Sequence, residues 1–491
     1  MSRRRKKGGK ISESYVLLAV LAATLLFRAY KADAPIGGYH GWNEAWYTLK
    51  ALDVLNDPVR HLRGNIFMGP TPAYEYILAL AFLAFGKTVF VGRMLDIVLG
   101  ILSLALLHIL ASELYGKRAG VVAAALAAFA PAHVLVGRNI QTDMAAACFM
   151  LVFAVAYVRW LKTKDVRLLY AACLAAGVGF WFKQTTLIMV AVAALYETIK
   201  SKGVGWFGRR QLTGYAIICG LVAPYPLLGI LTNPEYFVGG TGEMLQNYRR
   251  SVSDPVITMS EVFWGLSPLF AMSLAAGTYA VFKKPAKEEM FILSWGCLSL
   301  LFFAVFNYHS YYMLPLVFPA AVVSSKVLWK RNVLTAIVVL TAAFNSMLVL
   351  GVQKIGYDGL SELPAKAGDT KDTQIVISER VSGSYGEVIR YYLPNAQVKV
   401  EKKLAGLTPP KGARVLLLAT EAPAEDRGEM TEYALMMHPY GISFGTFTVY
   451  MRPTNIHFFT PDSFYTATNP RLSAGPQRLS DVAEFYLLPP A

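Results

Sequence analysis

The sequence predicts a polytopic α-helical membrane protein with about eleven transmembrane helices and a C-terminal extracytoplasmic α/β domain. Long apolar segments recur along the chain, and short basic clusters separate them. A strand-like alternation near the C-terminus predicts the soluble domain. Of the 491 residues, 55% are hydrophobic and 16% are charged. Soluble domains contain about 25% charged residues, so this composition argues against a soluble protein.

The transmembrane helices are predicted from apolar segments that are nearly free of charge. Tyr15–Phe27, Met94–Ile109 and Val333–Val352 are examples. A helix needs about 20 such residues to cross a hydrocarbon core roughly 30 Å thick. The first three predicted spans lie near residues 13–31, 90–113 and 119–136.

The basic residues predict the orientation in the membrane. The N-terminus is basic, and Pro35 directly after the Ala32–Ala34 site argues against cleavage of a signal peptide. With the N-terminus in the cytoplasm, each gap on that side carries at least two Lys or Arg residues, as expected for inner loops. We predict a multi-pass cell-membrane protein with its C-terminal domain outside the cytoplasm. The net charge of +15 is spread over these clusters, so we expect no nucleic-acid partner.

Residues 71–86 leave one alternative open. They are apolar, but 16 residues are few for a membrane span. Counting them as a span would move Lys117 and Arg118 to the outside and residues 138–143 to the inside. We therefore favour an interfacial or re-entrant helix within the first outer loop.

Two domains are predicted. Residues 1–354 form the transmembrane domain, with a first outer loop at residues 32–89, and residues 355–491 form the soluble domain. The soluble domain shows no nucleotide-binding glycine pattern and no nucleophile elbow. A helix is expected at Ser384–Leu393, and strands at Gln374–Ser378, Gln397–Glu401, Arg414–Ala419 and Thr446–Met451.

Polar side chains collect in the loops predicted to face outwards. Carboxylates, cations and polar aromatic residues at one membrane face suit a reaction on an anionic, lipid-linked substrate, because cations bind phosphate and a carboxylate accepts a proton. These residues are Glu44, Asp143, Arg138, Lys183, Arg249, Arg250, His40, Asn43, Tyr47, His309, Tyr311 and Tyr312.

Each of these residues also has a purely structural explanation. Glu44 could cap an interfacial helix, and Asp143 could pair with Arg138 or favour the start of a helix. Lys183 could extend towards headgroups, and the tyrosines could form an aromatic belt. Arg93 and Asp96, three residues apart, are expected to form an ion pair within one helix.

Several short motifs occur in an order that matches a known family. They are Asn43–Tyr47, Gly69–Tyr74, Arg93, Tyr115–Arg118, Arg138 with Thr142 and Asp143, Lys183, and His309–Pro315 followed by Pro319. Between residue 13 and about residue 330 the sequence resembles glycosyltransferases of the GT-C fold. It is most similar to the protein mannosyltransferase (family 39) and lipid A aminoarabinose transferase group. The family commonly has an Asp-Glu motif where this chain has Asn43 and Glu44.

The resemblance implies inverting transfer of a sugar from a polyprenyl-phosphate donor to an acceptor hydroxyl at the outer face. Glu44 would be the general base, and Asp143 would orient the acceptor or share that role. The family comparison and the outer-loop positions assign the remaining residues. Lys183, Arg138, Arg249 and Arg250 are the predicted donor-phosphate ligands, and His40, Asn43, Tyr47, His309, Tyr311 and Tyr312 the predicted pocket residues.

The predicted partners are a polyprenyl-phosphate-linked sugar, the lipid bilayer, and an acceptor glycan, lipid or protein. No cofactor is expected: Glu44 and Asp143 could bind a divalent cation, but no carboxylate cluster argues for one. The main alternative function is a transporter or flippase of a lipid-linked or anionic substrate. The absence of internal repeats and the outer position of the charges weigh against it. A second alternative is a membrane scaffold that displays the C-terminal domain.

Overall fold

The computed structural model describes residues 12–36, 41–65, 71–201, 208–232, 255–305, 310–353, 373–401, 414–420 and 483–488, and the single residues 234 and 364. Five predictions fall outside this part of the chain. They concern His40, Arg249, Arg250, His309 and the strand Thr446–Met451.

The first half of the transmembrane domain contains helices α1 (Glu13–Ala29), α2 (Gly41–Asn56), α3 (Pro58–Asn65), α4 (Ala73–Phe85), α5 (Val89–Tyr115), α6 (Lys117–Ala128), α7 (Pro131–Val136), α8 (Asp143–Thr163) and α9 (Val166–Phe180). The second half contains helices α10 (Ile188–Ser201), α11 (Arg209–Val222), α12 (Pro224–Thr232), α13 (Pro255–Leu266), α14 (Pro268–Lys283), α15 (Lys287–Val305), α16 (Leu314–Leu328) and α17 (Asn332–Gln353). Short 3₁₀ helices at Gln184–Leu187 and Ser310–Met313 precede α10 and α16.

Helices of membrane-spanning length and composition confirm the predicted class of helical membrane protein. Within the described residues, five segments are long and apolar enough to cross a bilayer: Val89–Tyr115, Asp143–Thr163, Arg209–Leu231, Lys287–Val305 and Tyr311–Leu328. Other predicted spans correspond to shorter helices, such as α1 and α9, or to pairs of helices that meet at a break. The number of eleven spans therefore stays a prediction.

The predicted span at residues 119–136 is two helices, α6 and α7, rather than one. The break precedes Pro131, at the first turn of α7, where a proline ring fits without loss of a hydrogen bond. Arg28 from α1 fills this break. Its Nη2 donates to the carbonyl of Ala128 at 3.2 Å and to Nδ1 of His133 at 2.5 Å. A guanidinium group therefore satisfies a carbonyl that the end of α6 leaves unpaired.

The Arg28 side chain is completely buried within the bundle. Because Nδ1 of His133 accepts from Arg28, its Nε2 carries the proton and donates to Ser103 Oγ at 2.9 Å. Two glycines, Gly100 and Gly137, leave room for the guanidinium group, since a Cβ at either would collide with Arg28 Nη1. This network ties α1, α5, α6 and α7 together.

Contacts between distant loops agree with the predicted sides of the membrane. Arg159 donates from Nε to Glu113 Oε1 at 2.9 Å, and Lys326 donates from Nζ to Glu289 Oε1 at 2.5 Å. Each contact joins two gaps that the charge alternation assigns to the cytoplasm. Both contacts therefore agree with the placement of these gaps on one face of the bundle. The assignment of that face to the cytoplasm stays a prediction.

Helix α4, within the ambiguous residues 71–86, begins beside the predicted outer end of α9. At its start, Thr71 Oγ1 donates to the carbonyl of Phe180 at 2.7 Å, and the amide of Ala73 donates to the carbonyl of Trp181 at 2.9 Å. Both acceptors lie at the predicted outer end of α9. At its other end α4 leads into α5, whose second turn contacts the first outer loop. With 13 residues, α4 is about 20 Å long, which is short for a span.

The described part of the C-terminal region is an α/β arrangement. Strands β1 (Thr373–Ser378), β2 (Gln397–Glu401), β3 (Arg414–Thr420) and β4 (Ala483–Leu488) form a sheet in the order β2-β1-β3-β4. Helix α18 (Glu379–Tyr392) connects β1 to β2, which pair in parallel, as β1 and β3 do. The antiparallel edge strand β4 was not predicted from the sequence.

Gly100→Ala is expected to destabilise the protein, because its methyl carbon would lie 2.5 Å from Arg28 Nη1. Overpacking of this kind costs about 1–3 kcal/mol, which exceeds the ~1 kcal/mol that alanine gains over glycine in a helix. Gly220→Ala in α11 is the matched control, since no atom lies within 4 Å of its new methyl group. The midpoint of thermal unfolding in detergent measures both. Equal midpoints would contradict the tight packing around Arg28.

Candidate functional site

Helix α2 carries Glu44 in its first turn, with its side chain turned into the protein. Arg93 of α5 binds this carboxylate with two nitrogens: Nε to Oε1 at 2.8 Å and Nη2 to Oε2 at 2.7 Å. Glu44 also accepts from the amide of Ile140 at 3.3 Å and is only 1% exposed. Arg93 therefore pairs with Glu44, and the expected pair with Asp96 within α5 is wrong.

Arg93 also holds the segment that leads into α2. Its Nη1 donates to the carbonyls of Ala34 at 2.6 Å and Ala32 at 3.2 Å, and its Nη2 donates to Pro35 at 3.3 Å. One guanidinium group thus fixes the carboxylate and the preceding chain in one place. Such bidentate, charge-assisted contacts fix orientation as well as distance.

Arg138 lies in the turn between α7 and α8, close to the same pair. It donates from Nη2 to the carbonyl of Tyr30 at 3.0 Å. Burial and the nearby Arg93 lower the pKa of Arg138, and the Glu44 carboxylate partly offsets this. Two arginines close to one carboxylate leave an excess of positive charge, which favours binding of an anion.

The second cluster forms where α8 begins and α9 ends. Lys183 donates from Nζ to Asp143 Oδ1 at 2.7 Å. The same ammonium group lies 4.7 Å from the ring centroid of Tyr311 and 5.1 Å from that of Tyr312, so the rings add cation–π attraction. Four predicted residues from three separate loops therefore meet, and Asp143 pairs with Lys183 rather than with Arg138.

Asp96 joins the two clusters and was not predicted as a site residue. It is fully buried, accepts a hydrogen bond from the hydroxyl of Tyr74, and interacts electrostatically with both Glu44 and Asp143. An ionisable residue within an apolar helix is by itself a signal of function. In the sequence, Asp96 was instead assigned to an ion pair with Arg93, because the two residues are three apart on one helix.

Two of the predicted pocket residues lie on α2. Asn43 is half-buried next to Glu44. Tyr47 is 9% exposed and packs edge-to-face on Tyr74 of α4, with ring centroids 5.3 Å apart. Tyr47 therefore supports the contact between α2 and α4, and a role of either residue in substrate binding stays a prediction.

Residues 69–229 match the family described as dolichyl-phosphate-mannose-protein mannosyltransferase. The fold matches the crystal structure of ArnT from Cupriavidus metallidurans bound to undecaprenyl phosphate, with a TM-score of 0.67 and 12% identity over 96% of this chain and 97% of that one. The apo form of the same protein matches with a TM-score of 0.61 over 96% and 98% of the two chains, also at 12% identity.

This chain has the GT-C fold. The archaeal oligosaccharyltransferase AglB from Archaeoglobus fulgidus, in complex with an inhibitory peptide and a dolichol-phosphate, shares it with a TM-score of 0.54 and 14% identity. That match covers 79% of this chain and 65% of AglB. No curated protein sequence matches this chain.

The predicted resemblance to polyprenyl-phosphate-sugar glycosyltransferases of the GT-C fold is confirmed. The family match includes Arg93, Arg138, Asp143 and Lys183, whereas Glu44 lies before it. The family match covers residues 69–229 only, and the likeness to the solved structures shows the fold.

Arg93→Met is expected to destabilise this GT-C protein by about 3–5 kcal/mol, because it leaves the buried Glu44 carboxylate without its cation. The double variant Arg93→Met/Glu44→Gln is expected to be less destabilised than the single one. Arg159→Met is the control, since it breaks a partly exposed pair worth about 0–1 kcal/mol. Chemical denaturation in detergent measures these variants together with the single variant Glu44→Gln. Additive effects of Arg93→Met and Glu44→Gln would contradict the coupling.

Proposed function

We propose that the protein transfers a sugar from a polyprenyl-phosphate donor to an acceptor hydroxyl at the outer membrane face. The observation that carries the proposal is the Lys183–Asp143 pair under the rings of Tyr311 and Tyr312, which brings together a phosphate-binding cation and a proton acceptor. The GT-C fold supports it, as do the lipid phosphates bound in the ArnT and AglB structures.

The donor phosphate is bound by Lys183, with Arg138 as a second cation. Among the described residues, Lys183 forms a salt bridge with one carboxylate, Asp143, and the rings of Tyr311 and Tyr312 contact its ammonium group without competing for its charge. Arg138 contributes to an excess of positive charge close to Arg93. A bound phosphate would relieve the repulsion between these cations and stabilise the negative charge that develops on the leaving group.

The contacts favour Asp143 over Glu44 as the general base. Both oxygens of Glu44 bind Arg93, one of them also accepts from Ile140, and the residue is 1% exposed. Asp143 is 8% exposed and stands at the first turn of α8, beside the proposed phosphate ligand. Glu44 then acts as a positioning residue, because its contact with Ile140 holds the turn that precedes Asp143.

In the proposed step the acceptor oxygen attacks the anomeric carbon of the donor sugar. The bond from this carbon to the phosphate oxygen breaks with its electron pair on the phosphate, and the acceptor proton moves to the carboxylate of Asp143. Attack opposite the leaving group inverts the anomeric configuration. Polyprenyl phosphate leaves as an anion, so one base suffices and no general acid is needed.

Asp143→Asn is expected to lower kcat by about 10²- to 10⁴-fold, the usual contribution of a general base. Glu44→Gln is expected to cost less in kcat per folded molecule, because its role is indirect. Glu113→Gln, at the opposite face, is the control and should leave transfer unchanged. Sugar transfer by purified protein in lipid nanodiscs is the measurement. A larger loss in Glu44→Gln than in Asp143→Asn would make Glu44 the base, as the sequence predicts.

Lys183→Gln is expected to raise the KM for the polyprenyl-phosphate donor about 10- to 100-fold, since a hydrogen bond to a charged group contributes about 1.5–3 kcal/mol. Lys162→Gln, at the opposite face, is the matched control. The assay follows release of polyprenyl phosphate together with transferred sugar. Movement of intact donor across vesicles without such release would instead support a flippase.

A further inference from the structure

Within the described residues, a helix of the C-terminal region contacts the first outer loop. Helix α18 packs against α2, and the hydroxyl of Tyr392 in its last turn donates to the carbonyl of Ile36 at 3.3 Å. Ile36 is 1% exposed and closes the segment whose carbonyls Arg93 holds. The soluble domain and the first outer loop therefore lie on the same face of the membrane domain.

The segment 32–36 is held from two sides. Arg93 binds its carbonyls from within the membrane domain, whereas Tyr392 binds it from the soluble domain. Both donor side chains are shielded from water, because Arg93 is buried and Tyr392 is half-buried. A hydrogen bond between partly buried groups is worth more than one at an open surface.

Two adjacent tyrosines of α18 lie close to the Glu44–Arg93 pair. Tyr391 and Tyr392 both interact electrostatically with these two side chains. Phenols are neutral at physiological pH at their ordinary pKa, and burial raises the pKa of both still further. These two side chains therefore bring no negative charge next to Arg93 that could compete with Glu44.

A continuous series of contacts runs from α18 to the proposed base. Tyr392 binds segment 32–36, Arg93 binds this segment and Glu44, and Glu44 accepts from the amide of Ile140. Ile140 lies in the turn directly before α8, where Asp143 begins the helix. Each link is a direct hydrogen bond or ion pair, so a shift of segment 32–36 would change the position of this turn.

We propose that the C-terminal domain is a positioning element of the active site, and that Tyr392 acts through segment 32–36, Arg93 and Glu44 to hold Asp143 in its working position. The proposal rests on the proposed function for its effect on catalysis. Its structural part, a tether between the domain and the turn before Asp143, stands on the contacts alone. Tyr392 is a positioning residue, because it has no contact with Lys183 or Asp143 among the hydrogen bonds of the described residues.

The test compares Tyr392→Phe with Arg390→Gln in the full-length protein. Tyr392→Phe removes one hydroxyl group and keeps the ring. Arg390→Gln changes the same helix at an exposed ion pair with Glu387, so it controls for effects on the domain surface. Amide hydrogen exchange, read by mass spectrometry, reports the tether without any assay of activity.

Tyr392→Phe is expected to increase exchange in peptides covering residues 41–56 and 137–142, with unchanged exchange in α16 as the check on folding. It should lower kcat about 3- to 10-fold, the size expected for one neutral hydrogen bond, and leave the donor KM unchanged. In a Glu44→Gln background it should have little further effect on kcat. Arg390→Gln should match the wild type throughout.

Unchanged exchange in both peptides of Tyr392→Phe would overturn the tether. Increased exchange with unchanged kcat would overturn its role in positioning Asp143. A higher donor KM at unchanged kcat would also overturn that role, because it would connect the domain to donor binding instead. If the wild-type protein transfers no sugar, the proposed function fails, and the exchange data alone still decide whether the tether exists.

Discussion

The bidentate contact between Arg93 and Glu44 joins parts of the chain that are distant in sequence. Arg93 also binds the carbonyls of segment 32–36, and Glu44 accepts from the amide of Ile140. Helices α2 and α5, the chain entering α2 and the turn before α8 therefore share one buried junction. A buried ion pair adds little net stability, because desolvation offsets its Coulomb attraction. Its effect here is geometric: it sets the position of the first outer loop relative to Asp143.

The sequence predicted the membrane class, the positions of most helices and the grouping of loops by side, because hydropathy and basic clusters report directly on the bilayer. The contacts Arg159–Glu113 and Lys326–Glu289 agree with that grouping. The break between α6 and α7 was not predicted. Pro131 marks it, because a proline disfavours the helical conformation of the residue before it. Edge strand β4 was also missed, because its pairing depends on a partner far along the chain.

Some of the side chains named from the sequence meet in the structure, but their pairings were not predicted. Asp143 and Lys183 follow from charges in adjacent outer loops, and the structure brings them together. Arg93 pairs with Glu44 rather than Asp96, because a carboxylate from another helix can face both guanidinium nitrogens. Helical spacing describes neighbours on one helix only. No sequence signal connects Tyr392 to this site, since that contact exists only after the two domains have packed.

Arg28 has a consequence for the order of assembly. Its partners on α6 and α7, the carbonyl of Ala128 and the ring of His133, are synthesised about a hundred residues later. Until then the guanidinium group must stay hydrated near the headgroups, since a charge within hydrocarbon is costly. Helix α1 can settle to its final depth only when α5 to α7 have inserted beside it. Early in biogenesis the first helix is an anchor, and its place in the bundle is completed afterwards.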